Sequence, residues 1–195
     1  YVLIEQSIMS WLPTFNKDVL QLSTSLSIQM ASILSASIAL GRFLAGLVLR
    51  KADWFMVLAF CLLAAGTLVL LAVPLTKNIT GITVNSLADV PLVAFIFPLI
   101  GLFLAPIYPA INSVILSNLP AHRHGPMSGL IVVFSALGGT TGSIITGNIF
   151  EAYGGQTAFY FSLAPICMLI ALLYVFKRLQ PKAGTVVDLK TAGGH

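Results

Sequence analysis

Residues 91–118, PLVAFIFPLIGLFLAPIYPAINSVILSN, decide the fold of this chain. They form an uncharged, mostly apolar run that is long enough to cross a bilayer, which takes about 20 residues of helix. Pro98, Pro106 and Pro109 interrupt the run. Each proline removes a backbone donor, and a carbonyl left unpaired in hydrocarbon needs a partner from protein, ligand or water. The run therefore predicts either a membrane helix interrupted at a polar site or a helix that is only kinked.

The composition of the whole chain indicates a membrane protein. Of 195 residues, 57% are hydrophobic and 8% are charged, whereas about a quarter of the residues are charged in a typical soluble domain. Such a chain cannot cover a water-facing surface, so we expect the lipid bilayer to be its immediate partner. The net charge of +4 does not indicate nucleic acid, because the Lys and Arg residues lie beside apolar runs and not on one basic face.

The apolar runs predict an all-α integral membrane protein, a six-helix bundle over residues 1–176 in two groups of three spans. A polar tail follows over residues 177–195. The first run is shorter than a full span and the chain opens inside it, so we expect its first turns to lie upstream of Tyr1. The predicted spans are residues 1–15, 24–49, 55–75, 91–118, 126–150 and 157–176.

The basic residues predict the orientation of the bundle. On one side of the predicted bundle, the connections after the first, third and fifth spans hold only two basic residues, Lys17 and Lys77. Basic loops remain in the cytoplasm as a rule, so we expect a multi-pass protein of the inner (plasma) membrane with a cytoplasmic C-terminal tail. The loops after the second and fourth spans and the tail hold Arg50, Lys51, Arg123, Lys177, Arg178, Lys182 and Lys190.

Two charged residues lie within the predicted spans, where charges are unfavourable and often functional. Glu5 lies near the bilayer midplane and is a candidate for proton handling; the alternative is a neutral residue that is hydrogen-bonded to a neighbouring helix. Arg42 lies about 12 Å inside the end of the second span, and we expect it to form a structural or gating pair or to snorkel. Glycines recur in the fifth span and predict close approach to another helix. They are Gly129, Gly138, Gly139, Gly142 and Gly147.

Three further residues are candidates for solute binding. Tyr108 and Asn112 are four residues apart and therefore share one face of the interrupted helix. Gln29 belongs to a polar stripe with Ser25 and Ser32, and we expect it on the opposite wall, although such stripes also join membrane helices without a ligand. A ring and an amide suit an uncharged polyol such as a sugar.

The sequence lacks the patterns of an enzyme or a metal site. It shows no paired acids, no nucleophile with a base and no set of metal ligands. Cys61 and Cys167 each lie inside an apolar run without a second ligand at a suitable spacing. We therefore expect no catalysis, no cofactor and no metal site.

These features together resemble the C-terminal six-helix half of a major facilitator superfamily transporter. The segment GRFLAGLVLRK at 41–51 is similar to the eighth helix and inner-loop motif of that superfamily, although Arg50 stands where the motif usually has an acid. YVLIEQSIMSWL at 1–12 and PIYPAINSVIL at 106–116 are similar to the fucose, galactose and glucose:proton symporter branch.

The resemblance implies a proton-coupled carrier for a sugar or similar small polar solute. In such a carrier the solute binds between two six-helix halves that rock around it, and the main coupling acids would belong to the missing N-terminal half. A chain with one half would not transport alone. Two alternatives remain open: a non-transporting sensor or assembly subunit on the same fold, and a carrier for a different solute class.

Overall fold

The computed structural model describes residues 1–76 and 89–179. The predicted loop that contains Lys77 and most of the predicted tail, with Lys182 and Lys190, lie outside the described residues. Within the described ranges all regular structure is helical, and no strand occurs. The prediction of an all-α protein is therefore confirmed.

Eight α-helices build the six predicted runs in the described residues. A single 3₁₀ turn opens the fourth run, over Leu92–Phe95, and another precedes the fifth, over Ala121–Arg123. The fourth and sixth runs each contain two helices. In chain order the helices are α1 (Val2–Asp18), α2 (Thr24–Val48), α3 (Trp54–Thr76), α4 (Ile96–Leu104), α5 (Ile107–Ser117), α6 (His124–Tyr153), α7 (Gly155–Phe161) and α8 (Leu163–Leu179).

Five of the runs are long and apolar enough to cross a membrane, among the residues that the structure describes. They contain α2, α3, α4 with α5, α6, and α7 with α8. Helix α1 has 17 residues and reaches about 25 Å at 1.5 Å per residue, which is less than the ~30 Å hydrocarbon core. The structure thus gives five full spans and one shorter helix where the sequence predicted six spans.

The fourth span is divided into α4 and α5 at Ala105 and Pro106. Both residues keep right-handed helical backbone angles, so the span is not unwound there. Pro106 cannot donate to the carbonyl of Leu102. This carbonyl lies against Gly41 of α2, where any Cβ would overlap the carbonyl oxygen. A close helix contact thus lies against this carbonyl, and its pairing with water or ligand stays a prediction.

The sixth span has a break at Ser162 that the sequence analysis did not predict. Pro165 explains it, because this residue cannot donate to the carbonyl of Phe161 and so favours a new helix start. Helix α8 then continues to Leu179, beyond the predicted end at residue 176. The first residues of the predicted tail belong to the last turn of this helix.

The two groups of three spans pack against each other in a reciprocal way. Helix α1 is the first span of its group and packs against α6, the second span of the other group. Helix α2 is a second span and packs against α4, which belongs to the first span of the other group. Gly142 lies against the backbone of Leu3, and Gly147 lies against the ring of Trp11, so that a Cβ at either glycine would overlap. The predicted close approach is confirmed at these positions, whereas Gly129 faces open space.

Tertiary contacts fix the two ends of the bundle. At one end α1 finishes where α4 and α7 begin, and Phe15, Phe97 and Phe159 pack edge to face with ring centroids 4.5 to 5.0 Å apart. At the other end Phe176 of α8 meets Trp54 at the start of α3, with centroids 5.9 Å apart. We name this second end the basic end. It carries Arg50, Lys51, Arg123, Lys177 and Arg178.

Candidate functional site

A cavity of about 540 Å³ lies between α1, α5 and α6. Its volume is within the range of roughly 300–1,000 Å³ that small-molecule sites occupy. None of the residues that line it carries a charge. The apolar part of the wall contains Val2, Val132 and Ala136. The polar part contains Gln6, Ser10, Tyr108, Ser135 and Thr140.

Helical spacing brings these side chains to one surface. Val2, Gln6 and Ser10 recur every four residues and therefore share one face of α1. On α6 the lining residues recur at three or four residues in the same way. Gly139 lets the two helices approach, because a Cβ there would lie 3.1 Å from Cγ of Gln6. The cavity is thus formed along the glycine contact between α1 and α6.

Tyr108 lies at the border between this cavity and a second cavity of about 330 Å³. The hydroxyl of Ser135 donates to Oη of Tyr108 at 3.4 Å. The ring of Tyr1 stacks on the ring of Tyr108, with centroids 6.0 Å apart and an interplanar angle of 27°. Asn112 lines the second cavity, whose other walls are mainly apolar. The structure therefore brings Tyr108 and Asn112 to one surface, as their spacing predicted.

An ion pair joins α1 to α2 on the other side of α1. Nη2 of Arg42 donates to Oε1 of Glu5 at 2.8 Å, and the two side chains are 47% and 13% exposed. Glu5 also borders a narrow gap with Leu34 of α2 and Gly101 of α4. The structure therefore brings together the two charged residues that the sequence placed within the spans, and Glu5 is the partner of Arg42.

Tyr1 connects the ion pair with the cavity wall. Its hydroxyl is buried near Glu5 and Arg42, yet it reaches no hydrogen-bond partner among the described residues. Its ring contacts Tyr108. The side chain of Tyr1 thus lies near the charged pair behind α1 and stacks on Tyr108, which lines both cavities.

The structure does not bring Gln29 to these cavities. Gln29 lies exposed near the start of α2, and its amide nitrogen donates to the hydroxyl of Ser25 at 3.3 Å within the same helix. It lines neither the cavity of about 540 Å³ nor the second one. Its assignment to the opposite wall of the solute site stays a prediction that no contact here supports.

Sequence reasoning missed several polar side chains of the cavity. Gln6 and Ser10 are four residues apart on α1, the same spacing that drew attention to Tyr108 and Asn112. The pattern was therefore present in the sequence. Ser135 and Thr140 are harder to find, because Ser and Thr in membrane helices usually bond a carbonyl of their own helix, as Thr140 does to Ala136.

The described residues contain no group of three His, Cys, Asp or Glu side chains that could hold a metal ion. Their helices form a multi-pass membrane bundle with an uncharged, solute-sized cavity, and these are the properties of a membrane transporter. A sequence model of the Major Facilitator Superfamily matches residues 1–139, and the chain belongs to this superfamily of transporters. No curated protein and no solved structure gives a match to the chain.

Proposed function

We propose that this chain is the C-terminal six-helix half of a proton-coupled carrier for a small uncharged polar solute. A sugar is the first candidate, because residues 1–12 and 106–116 resemble the fucose-permease-like branch. A second six-helix half would form the opposite wall, and the two halves would expose the site alternately. The observation that carries this proposal is the cavity of about 540 Å³ beside Tyr108.

The chemistry of the cavity wall favours an uncharged solute. Hydroxyl and amide groups both donate and accept, so they match the alternating donors and acceptors of a polyol. The ring of Tyr108 offers an apolar face for the C–H side of a pyranose. On this wall a charged solute would find no counter-charge, because the lining residues carry none.

The ion pair behind the cavity supports coupling to protons. Protonation of Glu5 would remove its attraction to Arg42, which now acts over 2.8 Å and is strengthened because the carboxylate is largely buried. The contact between α1 and α2 would then weaken. Because Tyr1 lies near this pair and stacks on Tyr108, it is the side chain through which a change at the pair would reach the cavity wall.

The second cavity favours a related solute class. Its volume is about 330 Å³, and apart from Tyr1, Tyr108, Asn112 and Ser135 its lining side chains are apolar or glycine. A solute with a sugar head and an apolar substituent would fill both cavities. Competition between a free sugar and its alkyl glycoside, measured on the same protein, distinguishes the two classes: tighter binding of the glycoside supports the larger solute.

The test is uptake of labelled fucose, galactose and glucose into proteoliposomes that contain the whole transporter of which this chain is a part. Thr140→Ala removes a hydroxyl from the cavity wall, and Thr141→Ala is the matched control on the exposed side of α6. A neutral hydrogen bond contributes about 0.5–1.5 kcal/mol, so we expect Tyr108→Phe and Thr140→Ala each to weaken solute binding about 2- to 12-fold. Equal affinities for Thr140→Ala, Thr141→Ala and the unchanged protein would place the solute elsewhere.

The variant Glu5→Gln tests the coupling separately. It keeps the shape of the side chain and removes the charge, so we expect loss of proton-driven accumulation while solute exchange across the membrane continues. Unchanged pH dependence of uptake would show that Glu5 is a structural partner of Arg42 only. Saturable solute binding with no uptake under any gradient would favour the sensor alternative.

A further inference from the structure

An apolar groove opens between α3, α5 and α8, and it shares Ile111, Ile115 and Leu169 with the wall of the second cavity. Its volume is about 170 Å³, which is below the roughly 300–1,000 Å³ of a typical small-molecule site. Its lining contains no charged and no hydrogen-bonding side chain. The residues that define it are Leu62, Ile107, Ile115, Leu172, Leu173 and Phe176.

The groove runs along the bundle towards the basic end. On α5 it extends from Ile107, the first residue of the helix, to Ile115, two residues before the helix ends. This separation of eight residues corresponds to about 12 Å at helical rise. One leaflet of hydrocarbon is about 15 Å thick, so the groove has the length of most of an acyl chain in that leaflet.

Basic side chains lie at the end of the groove. Lys177 follows the lining residue Leu173 by four positions and therefore shares its face of α8. Its Nζ is 3.8 Å from Oδ1 of Asp53, a long contact, and Asp53 is already engaged in capping α3 through the amides of Phe55 and Met56. The side chain of Lys177 remains 45% exposed and can contact a further anion.

Arg178 adds a second positive charge next to Lys177. It donates to the hydroxyl of Tyr174 through Nε and Nη2, and a guanidinium carries five N–H donors in all, in a geometry that matches a phosphate. Basic pockets between membrane helices bind anionic headgroups in this way. Arg178 shares the face of Tyr174, which does not line the groove, so Lys177 is the cation on the face of the groove and Arg178 adds charge on the neighbouring face of α8.

We propose that this groove binds one acyl chain of an anionic glycerophospholipid whose phosphate lies against Lys177 and Arg178. The proposal does not depend on which solute the protein transports. Charge complementarity selects the lipid: a zwitterionic headgroup places a cation next to the two basic residues, whereas phosphatidylglycerol places only a phosphate there. Bound lipid would fill the space between α5 and α8 and support the divided span.

The test is photolabelling of the purified protein in nanodiscs with phosphatidylglycerol or phosphatidylcholine that carries a diazirine in one acyl chain. Labelled peptides are mapped by mass spectrometry. We expect phosphatidylglycerol to label residues 107–115 and 169–176 several-fold more than phosphatidylcholine. Equal labelling of these segments by the two lipids would overturn the proposal.

Two pairs of variants test the parts of the site. Lys177→Gln with Arg178→Gln should reduce labelling by phosphatidylglycerol at least about fivefold, the effect of one basic residue near a charged membrane surface. The control, Lys51→Gln with Arg123→Gln, removes the same charge from the basic end and should retain the label. If both double variants lost the label equally, the effect would be one of general charge, and the proposal of a defined headgroup site would be overturned.

The variant Leu172→Trp fills the groove. It should reduce labelling by both lipids, whereas Met168→Trp, at an exposed position on the same helix outside the groove, should not. Undiminished labelling of the Leu172→Trp protein would overturn the assignment of the acyl chain to this groove.

Discussion

The Glu5–Arg42 ion pair should stabilise the packing of α1 on α2 by an amount that a double-mutant cycle can measure. Its atoms are 2.8 Å apart, and the carboxylate is 13% exposed while the guanidinium is 47% exposed. Exposed pairs contribute about 0–1 kcal/mol, and breaking a buried pair costs about 3–5 kcal/mol. This pair lies between the two cases, so we expect removal of Arg42 to lower the free energy of unfolding by about 1.5–3 kcal/mol.

The cycle consists of Arg42→Met, Glu5→Gln and the double variant, with unfolding by SDS in mixed micelles followed by circular dichroism. Arg42→Met should be the more damaging single change, because it leaves a largely buried carboxylate unpaired, whereas Glu5→Gln leaves a half-exposed guanidinium that water can solvate. The double variant should lose less than the sum of the singles by about 1 kcal/mol or more. Arg50→Met, at the exposed end of α2, serves as the control and should change stability by less than about 0.5 kcal/mol.

A coupling energy below about 0.5 kcal/mol, the usual error of additivity, would refute this reasoning. It would mean that the two side chains meet without stabilising the bundle. The proposed release of α1 from α2 on protonation of Glu5 would then have no energetic basis.

Three further predictions follow from the packing. Gly142→Ala should lower the free energy of unfolding by about 1–3 kcal/mol, because its Cβ would overlap Leu3 and overpacking has that effect. The control Gly129→Ala lies in open space and should be neutral or slightly stabilising in the same SDS titration. Asn16→Leu should raise the midpoint of thermal unfolding. Both side-chain amide atoms of the buried Asn16 lack a partner in the described part of the chain, and an unpaired buried group costs about 1–3 kcal/mol. A lowered midpoint would show that the amide has a partner. A cysteine at position 123, in protein with Cys167→Ala, should react with an impermeant maleimide only after cells are permeabilised, and reaction in intact cells would invert the predicted orientation.

The spans could be predicted because a helix that crosses hydrocarbon needs a continuous run of apolar residues, and such a run is visible in the sequence. Residues 55–75 contain no charge, and α3 covers Trp54–Thr76. The glycines of α6 were also informative, since only a residue without a side chain fits against Leu3 or Trp11. In both cases the residue types alone indicate the structure that they form.

The site could be predicted only in part, because it depends on how each helix is rotated about its axis. Tyr108 and Asn112 share a face by spacing alone, whichever way the helix turns. The stripe with Gln29 does not indicate which neighbour it faces, and α2 turns a different face, with Leu34 and Gly41, towards the bundle. The pairing of Glu5 with Arg42 likewise requires the relative rotation of two helices whose contact residues are 37 positions apart.

The reciprocal packing of the two helix groups also has a consequence for biogenesis. The indole of Trp11 donates to the carbonyl of Ser143, 132 residues later in the chain, so this partner surface of α1 is synthesised long after α1 itself. At roughly 5–20 residues per second, α1 would wait about 7–26 s for α6, whereas Arg42 would reach Glu5 within about 2–7 s. We expect the nascent chain to remain near the insertion machinery during this interval, held as an early hairpin of α1 and α2. Crosslinking of ribosome-bound chains of increasing length would test this: α1 should leave its insertion contacts only once α6 has emerged, and earlier release would show that the hairpin alone is stable in lipid.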